Sequence, residues 1–483
     1  MLFNSIDFAV FLPVVFALYW FVFHRNLKVQ NLFLVVASYV FYGWWDWRFL
    51  ILMTVTILCS YLSGLLIERA RCGSNSAIVR RNARAAVAAN IVVNLLILGF
   101  FKYWNFFVES FVDVFTLFGR RMEIHTLKII LPVGISFYTF QALSYSIDVY
   151  RRKIEPTRDL AAFFAFVSFF PQLVAGPIER ASNLLSQFYV RRSFDYGKAV
   201  DGMRQILWGL FKKIVVADSC ATTANMIFES YGTMPANLLA VGAIAFTFQI
   251  YGDFSGYSDI AIGTARLFGF NLQRNFAFPY FSRDIAEFWR RWHISLTTWF
   301  RDYIYIPLGG SRCSRWKAVR NTCIIFLVSG LWHGANWTFV AWGVYHAMLF
   351  MPLLLLGKNR RHTGIVAANR VLPTWKELFS MLTTFALVVA GWIIFRAENI
   401  PQALDYMSGI CSPSLFALPP QGRKCLLFSA VLIAVEWFGR KNQYAIEKIP
   451  VKNIALRWCI YFIILILILN YSEKQNAFIY FQF

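Results

Sequence analysis

The sequence is short of charge, and shorter still of acid: only 15% of its 483 residues are charged, and 25 Asp and Glu stand against 47 Lys and Arg. A soluble domain carries about 25% charged residues. With 58% of residues hydrophobic and 18% aromatic, and a mean hydropathy of +0.52, too little polar surface remains to cover a water-soluble globule. The chain is assigned to a bilayer. Several motifs are missing as well. The absence of a P-loop, a GxGxxG, a GxSxG elbow and an HExxH disfavours ATP-driven transport, dinucleotide chemistry and a resident serine hydrolase. Eight cysteines (Cys59, Cys72, Cys220, Cys313, Cys323, Cys411, Cys425 and Cys459) form no CxxC and no Cys/His cluster, so neither a disulfide framework nor a zinc site is indicated. No fixed-period repeat and no mirrored pair of broken spans is visible, which weakens a secondary-transporter reading.

What the chain does have is apolar runs of roughly the 20 residues that a helix needs to cross the hydrocarbon core. They lie near 6–24, 31–45, 48–67, 86–108, 129–149, 239–268, 321–340, 341–357, 377–395, 425–439 and 456–471, with more broken runs at 160–176 and 199–232. The expected fold is all-α and polytopic, with about ten to thirteen crossings in a single membrane domain over 1–483. The opening MLFNSID has no basic residue, and no small-residue cleavage site follows the first run, so 6–24 is expected to stay as a span and not to be removed as a signal peptide.

The formal charge of +22 is not spread as a nucleic-acid-binding face would be. It sits in short loops: Arg25 and Lys28; Arg69, Arg71, Arg80, Arg81 and Arg84; Arg151, Arg152, Lys153 and Arg158; Arg312, Arg315, Lys317 and Arg320; Arg440, Lys441, Lys448 and Lys452. Such loops mark the cytoplasmic side, so the chain is expected to start outside and to have no nucleic acid as partner. The same loops could attract an anionic cytoplasmic substrate.

Ionisable residues inside spans are costly and commonly mark a functional site. In LVSGLWHGANWTFVAWGVYH (327–346), His333 and His346 sit in a run with no Asp, Glu, Lys or Arg from Ile324 to Leu356. On one continuous helix Ser329, His333 and Asn336 would share a face, and Gly330 with Gly334 would let another backbone approach. A neutral imidazole there can take a proton from a hydroxyl, or it can simply bond across a helix pair. In 282–312, Ile285, Phe288, Trp292, Leu296 and Trp299 recur at helical spacing among Arg283, Asp284, Glu287, Arg290 and Arg291. This segment reads as an amphipathic or re-entrant helix closed by Pro307 and the Gly309–Gly310 pair, with Arg290, His293 and Thr297 along one side. In 246–263, Gln249, Asp253 and Asp259 interrupt a span. These carboxylates would either pair with arginines of 282–312 or line a substrate passage, and Gly252, Gly256 and Gly263 imply tight packing.

FWRRWHISLTTWFRDYIYIPLGGSR and LVSGLWHGANWTFVAWGVYH resemble the signature region of the membrane-bound O-acyltransferase family, in its bacterial alginate O-acetyltransferase branch. LPVGISFYTFQALSYSIDVYRR (131–152), FFPQLVAGPIER (169–180), YGDFSGYSDIAIG (251–263) and the terminal FIYFQF (478–483) extend the likeness over nearly the whole chain, with the signature region at about 282–350. The resemblance implies helices around a central tunnel and acyl transfer across the bilayer. It makes His333 the catalytic histidine and His293 the second histidine of the site, and it leaves the role of His346 open. Asn336, Arg290, Ser329, Asp253 and Gln249 are then the candidate substrate-binding residues.

A thioester is already activated, so transfer needs positioning, removal of one proton and stabilisation of the oxyanion. His333 is the expected general base; His293 would orient the acceptor or polarise the carbonyl, and Asn336 would offer an amide donor. A covalent acyl-histidine is the alternative route. The resemblance further implies acetyl-CoA as donor with no permanently bound cofactor, a periplasmic SGNH-like partner, an exopolysaccharide acceptor and the bacterial inner membrane as location. The readings set against this are a teichoic-acid D-alanylation type fed by a carrier protein, a proton-coupled polysaccharide transporter and a non-catalytic scaffold.

Overall fold

The computed structural model describes residues 1–71, 76–117, 127, 129–174, 176–472 and 478–479. Cys72, most of the loop before Ile129, Ala175 of the 169–180 block and residues 480–483 of the terminal block lie outside the described residues. Every regular element among the described residues is a helix. Six of them are long and apolar enough to cross a membrane: Arg48–Arg71, Ala77–Asp113, Ala236–Leu267, Trp337–Leu355, Trp375–Arg396 and Ile454–Tyr471; Ile6–Val22 and Leu27–Gly43 are shorter apolar helices. The runs at 129–149, 321–340 and 425–439 also form helices, which are shorter or begin with charged residues. The chain is a multi-pass membrane protein of all-α fold, and it divides into two compact units.

The first unit comprises Met1–Ala199 and Ala265–Leu272. Its helices start where a side chain can take up the orphan amides of a first turn. Ser5 caps Ile6–Ala17, Asn26 caps Leu27–Gly43 and Asp159 caps Leu160–Ser168. Arg48–Arg71 packs along Ser76–Leu117 and Ile135–Tyr150. Where these three helices meet, buried Asn90 donates to Ser146 Oγ at 2.9 Å and accepts from Ser60 Oγ at 3.3 Å. Apolar lipid gives helices no reason to associate, so such bonds and close backbone approach hold them together.

The second unit comprises Val200–Thr264 and Gln273–Phe483. Ala236–Leu267 is its most buried membrane helix, with 89% of its apolar window inside the protein. Gly256 explains part of this: a Cβ there would lie 2.8 Å from the Gly209 carbonyl oxygen, and one at Gly209 would lie 2.6 Å from that of Gly256. The two backbones touch because neither residue has a side chain. Beside this contact the chain forms a π-helical turn, Phe211–Ala217, which turns both Lys212 and Lys213 inward. Lys213 Nζ lies 2.9 Å from both Asp218 and Asp253, and Lys212 Nζ lies 2.5 Å from Asp259.

These lysines correct the expected pairing of the 246–263 carboxylates with arginines of 282–312. Those arginines are engaged elsewhere: Arg283 and Arg291 both close on the buried Glu287, at 2.9 and 2.6 Å. The 282–312 segment is not one helix either. It forms Ile285–Arg291, Ile294–Phe300 and a π turn, Arg301–Tyr305, although its apolar stripe from Ile285 to Trp299 is buried as its spacing predicts.

Overpacking a closed helix contact costs about 1–3 kcal/mol. Gly256→Ala is therefore expected to lower the melting temperature of the detergent-solubilised protein, while Gly99→Ala, inside a helix and where a Cβ meets nothing within 4 Å, does not lower it.

Candidate active site

Two helices carry the histidine-rich block. Arg315–His333 ends at His333, and Trp337–Leu355 starts after Asn336. They run antiparallel in contact: a Cβ on Gly330 would strike the Phe339 carbonyl, and one on Gly343 the Phe326 carbonyl. The break between them corrects the reading of one continuous helical face. Gly334 is extended, with φ −168°, so Asn336 does not follow His333 around a helix. Its side-chain oxygen caps the second helix by accepting from the Thr338 amide at 3.0 Å, and its NH2 donates to the Glu398 carbonyl at 3.0 Å. Ser329 remains one turn before His333 and is buried.

His333 is 3% exposed. Its ring lies against Trp332, Trp342 and Phe395, with centroids 5.0, 5.1 and 5.3 Å away. Trp332 also faces His293, at 5.7 Å. One indole thus touches both imidazoles.

His293 reaches this position through a backbone break. Asp284 caps Ile285–Arg291 by accepting from the Glu287 amide at 2.6 Å, the chain then extends at Trp292, and His293 adopts φ +44°, a left-handed conformation uncommon outside glycine. The break corrects the placement of Arg290 beside His293. Arg290 is exposed and donates to the carbonyls of Asn359 and His362, both at 2.7 Å, whereas the His293 ring is 1% exposed.

The His293 tautomer follows from its partner. Asn275 Oδ1 lies 3.0 Å from His293 Nδ1, and it accepts from the Ser295 hydroxyl at 3.0 Å and the Ser295 amide at 3.4 Å. A backbone N–H can only donate, so the Asn275 atom at this junction is its oxygen, and His293 Nδ1 must carry the hydrogen. The lone pair is then on Nε2. Burial pulls the His293 pKa well below its ordinary value, to about 3, and the ring is neutral at physiological pH. Nothing in the order or spacing of FNLQRNFAFPYF singles out Asn275, and only the folded chain shows its part. Asn275 also borders a tight polar cleft of about 10 Å³, lined by Lys212, Asp259, Arg274 and Glu436, which has room for about one water.

The remaining candidates have other surroundings. Asp253 pairs with Lys213 and accepts from the Ile479 amide at 2.7 Å, and the Gln249 side-chain oxygen meets no hydrogen-bond donor among the described residues. His346 is wholly buried between Trp289 and Trp342, with centroids 5.0 and 4.9 Å away, and its ring nitrogens find no hydrogen-bond partner among the described residues. Its neighbour Trp342 is also a wall of the His333 site.

Known proteins are similar to this chain. Residues 152–394 match the model of the MBOAT, membrane-bound O-acyltransferase family. The probable alginate O-acetylase AlgI of Pseudomonas aeruginosa is 44% identical over 404 residues, covering 83% of this chain and 73% of its own. The protein of the same name in Pseudomonas putida is 38% identical over the full length of both chains. The peptidoglycan O-acetyltransferase of Helicobacter pylori is 31% identical, covering 99% of this chain and 90% of its own. With two buried imidazoles against one indole in a helical membrane protein, and these relatives along its length, the chain belongs to the membrane-bound O-acyltransferase family and is an O-acyltransferase.

Proposed function

We propose that this protein moves an acetyl group from acetyl-CoA, drawn from the cytoplasm, across the bacterial inner membrane to a hydroxyl outside, in the O-acetylation of an exopolysaccharide. The observation that carries this reading is the pair of buried imidazoles sharing Trp332, one with its tautomer set by Asn275. The names of the alginate and peptidoglycan O-acetylating relatives support a polysaccharide as the final acceptor. Basic loops on the cytoplasmic face would attract the phosphates of the donor.

The proton transfers need only one group of the chain. His333, as general base, takes the acceptor's hydroxyl proton while the oxygen attacks the thioester carbonyl. The tetrahedral oxyanion collapses, the C–S bond breaks, and the departing thiolate recovers the proton from the imidazolium. A neutral His293 with its hydrogen on Nδ1 offers only an acceptor at Nε2, which does not suit it to polarise the carbonyl; because the acceptor hydroxyl gives its single hydrogen to His333, His293 would orient the acceptor through a neighbouring N–H or O–H. The acceptor is first a serine of a periplasmic SGNH-like partner, which passes the acetyl group to the polymer. A carrier-protein donor of the D-alanylation type is the competing reading, and competition between acetyl-CoA and a loaded carrier separates the two.

General-base catalysis is worth roughly 10²–10⁴-fold. His333→Ala is expected to lower acetyl transfer from labelled acetyl-CoA in proteoliposomes by that factor while the protein still inserts; normal transfer would remove His333 from the mechanism. Asn275→Ala frees the His293 ring to turn or change tautomer. With one orienting hydrogen bond worth about 1 kcal/mol, its kcat is expected to fall about fivefold with little change in KM for the donor. An unchanged kcat would show that the His293 tautomer does not matter.

A further inference from the structure

The first unit holds a cleft that the acyl-transfer chemistry does not use. It has a volume of about 380 Å³ and lies between residues 186–198 and the turn at 266–271. Its walls are fixed to each other. Gln187 donates to the Asn271 carbonyl at 2.9 Å and accepts from the Asn271 amide at 2.8 Å, while the Trp20 indole donates to the Leu267 carbonyl at 2.9 Å. Four cationic side chains, Arg191, Arg192, Lys198 and Arg266, line it against one carboxylate, Asp195. Arg192 is a fixed part of the wall: its guanidinium donates to Asn31 at 2.6 Å and Gln30 at 3.0 Å and covers the Phe270 ring at 4.7 Å. Asp195 reaches Lys198 at 3.9 Å, with both side chains about half exposed, so this pair is weak and screened. The cleft keeps a positive field.

Its place in the fold says what that field meets. Arg191 donates to the Arg25 carbonyl at 2.9 Å, in the short connection between the apolar helices Ile6–Val22 and Leu27–Gly43. The ends of two such helices mark the bilayer surface, and the basic residues of this connection mark its cytoplasmic side. The segment beside the cleft, YVRRSFDY, alternates its charges with outward apolar groups: Tyr189, Val190, Phe194 and Tyr196 are 47, 63, 50 and 76% exposed. Such side chains are satisfied at the headgroup and acyl boundary, as in interfacial helices rich in basic and aromatic residues. A soluble anion would need the basic groups alone. The exposed rings around them are explained by lipid.

We propose that this cleft binds the phosphate of an anionic phospholipid headgroup at the cytoplasmic surface, with Arg191 and Lys198 as its cationic contacts and Tyr189, Val190 and Phe194 set against the acyl chains. The other source of the same chemistry is the phosphate-bearing end of a nucleotide thioester.

Thermal unfolding of the purified full-length protein in detergent tests it, with added phosphatidylglycerol, phosphatidylcholine, inorganic phosphate or adenosine 3′,5′-bisphosphate. Phosphatidylglycerol is expected to raise the melting temperature saturably, and the other three to leave it unchanged. Arg191→Gln with Lys198→Gln, two exposed positions, is expected to raise the half-maximal phosphatidylglycerol concentration about 30-fold, from about fivefold per basic side chain. Arg191→Lys with Lys198→Arg should restore it. If the double variant does not fold, Lys198→Gln alone is read for its fivefold share. A phosphatidylglycerol response that is absent, or that the Gln substitutions leave unaltered, overturns the proposal. Protection by the bisphosphate without a lipid effect assigns the cleft to a nucleotide and overturns it equally.

Discussion

A polar group taken out of water must find its partner within the protein, and in a chain this poor in charge that constraint governs most of what the structure does. The Asn90 bonds join three membrane helices in the first unit. In the second, two lysines on a π turn meet three carboxylates, with Lys213 and Asp253 both at most 3% exposed. Losing one member of such a buried pair commonly costs about 3–5 kcal/mol, because the other charge is left unpaired. The rare ionisable residues therefore fix helix register while leaving the lipid-facing surface apolar.

The same constraint gives the histidines their chemistry. An imidazole in an aromatic enclosure stays neutral, and a neutral ring has one nitrogen that donates and one that accepts. Asn275 decides which is which at His293. The atom it turns toward Nδ1 accepts from the Ser295 amide and hydroxyl, so it is the carboxamide oxygen, which can only accept. Trp332 and Trp342 pack the two rings into one aromatic layer, and Trp342 carries that layer on to His346. The left-handed backbone at His293 is the local distortion that aims its ring inward, and backbone outliers of this kind concentrate at functional sites.

Much of this was legible in the sequence. Composition and apolar run length were enough for a membrane-embedded all-α chain, and the family blocks pointed to His333 and His293. The glycines at 256 and 330 announced close helix contacts that do form. What failed was anything that needed a partner distant in sequence. Asp253 pairs with Lys213 instead of the arginines that follow it, because helical spacing reports neighbours along one element and is silent about which helix lies opposite. Asn336 and Arg290 were placed by extending a helix through Gly334 and through Trp292–His293, where the backbone leaves the helix. Both side chains consequently bind backbone groups elsewhere. Asn275 gave no signal at all, since an asparagine in a loop is ordinary until a histidine is found beside it.

The central claim is that a thioester carbonyl comes to rest beside the His333 and His293 rings. A structure of the protein with a non-hydrolysable acetyl-CoA analogue measures this directly. The account expects the carbonyl carbon beside Trp332, with the His333 ring within about 3.5 Å of the position the attacking oxygen would take. A carbonyl seated elsewhere in the protein, out of reach of both imidazoles, would contradict it.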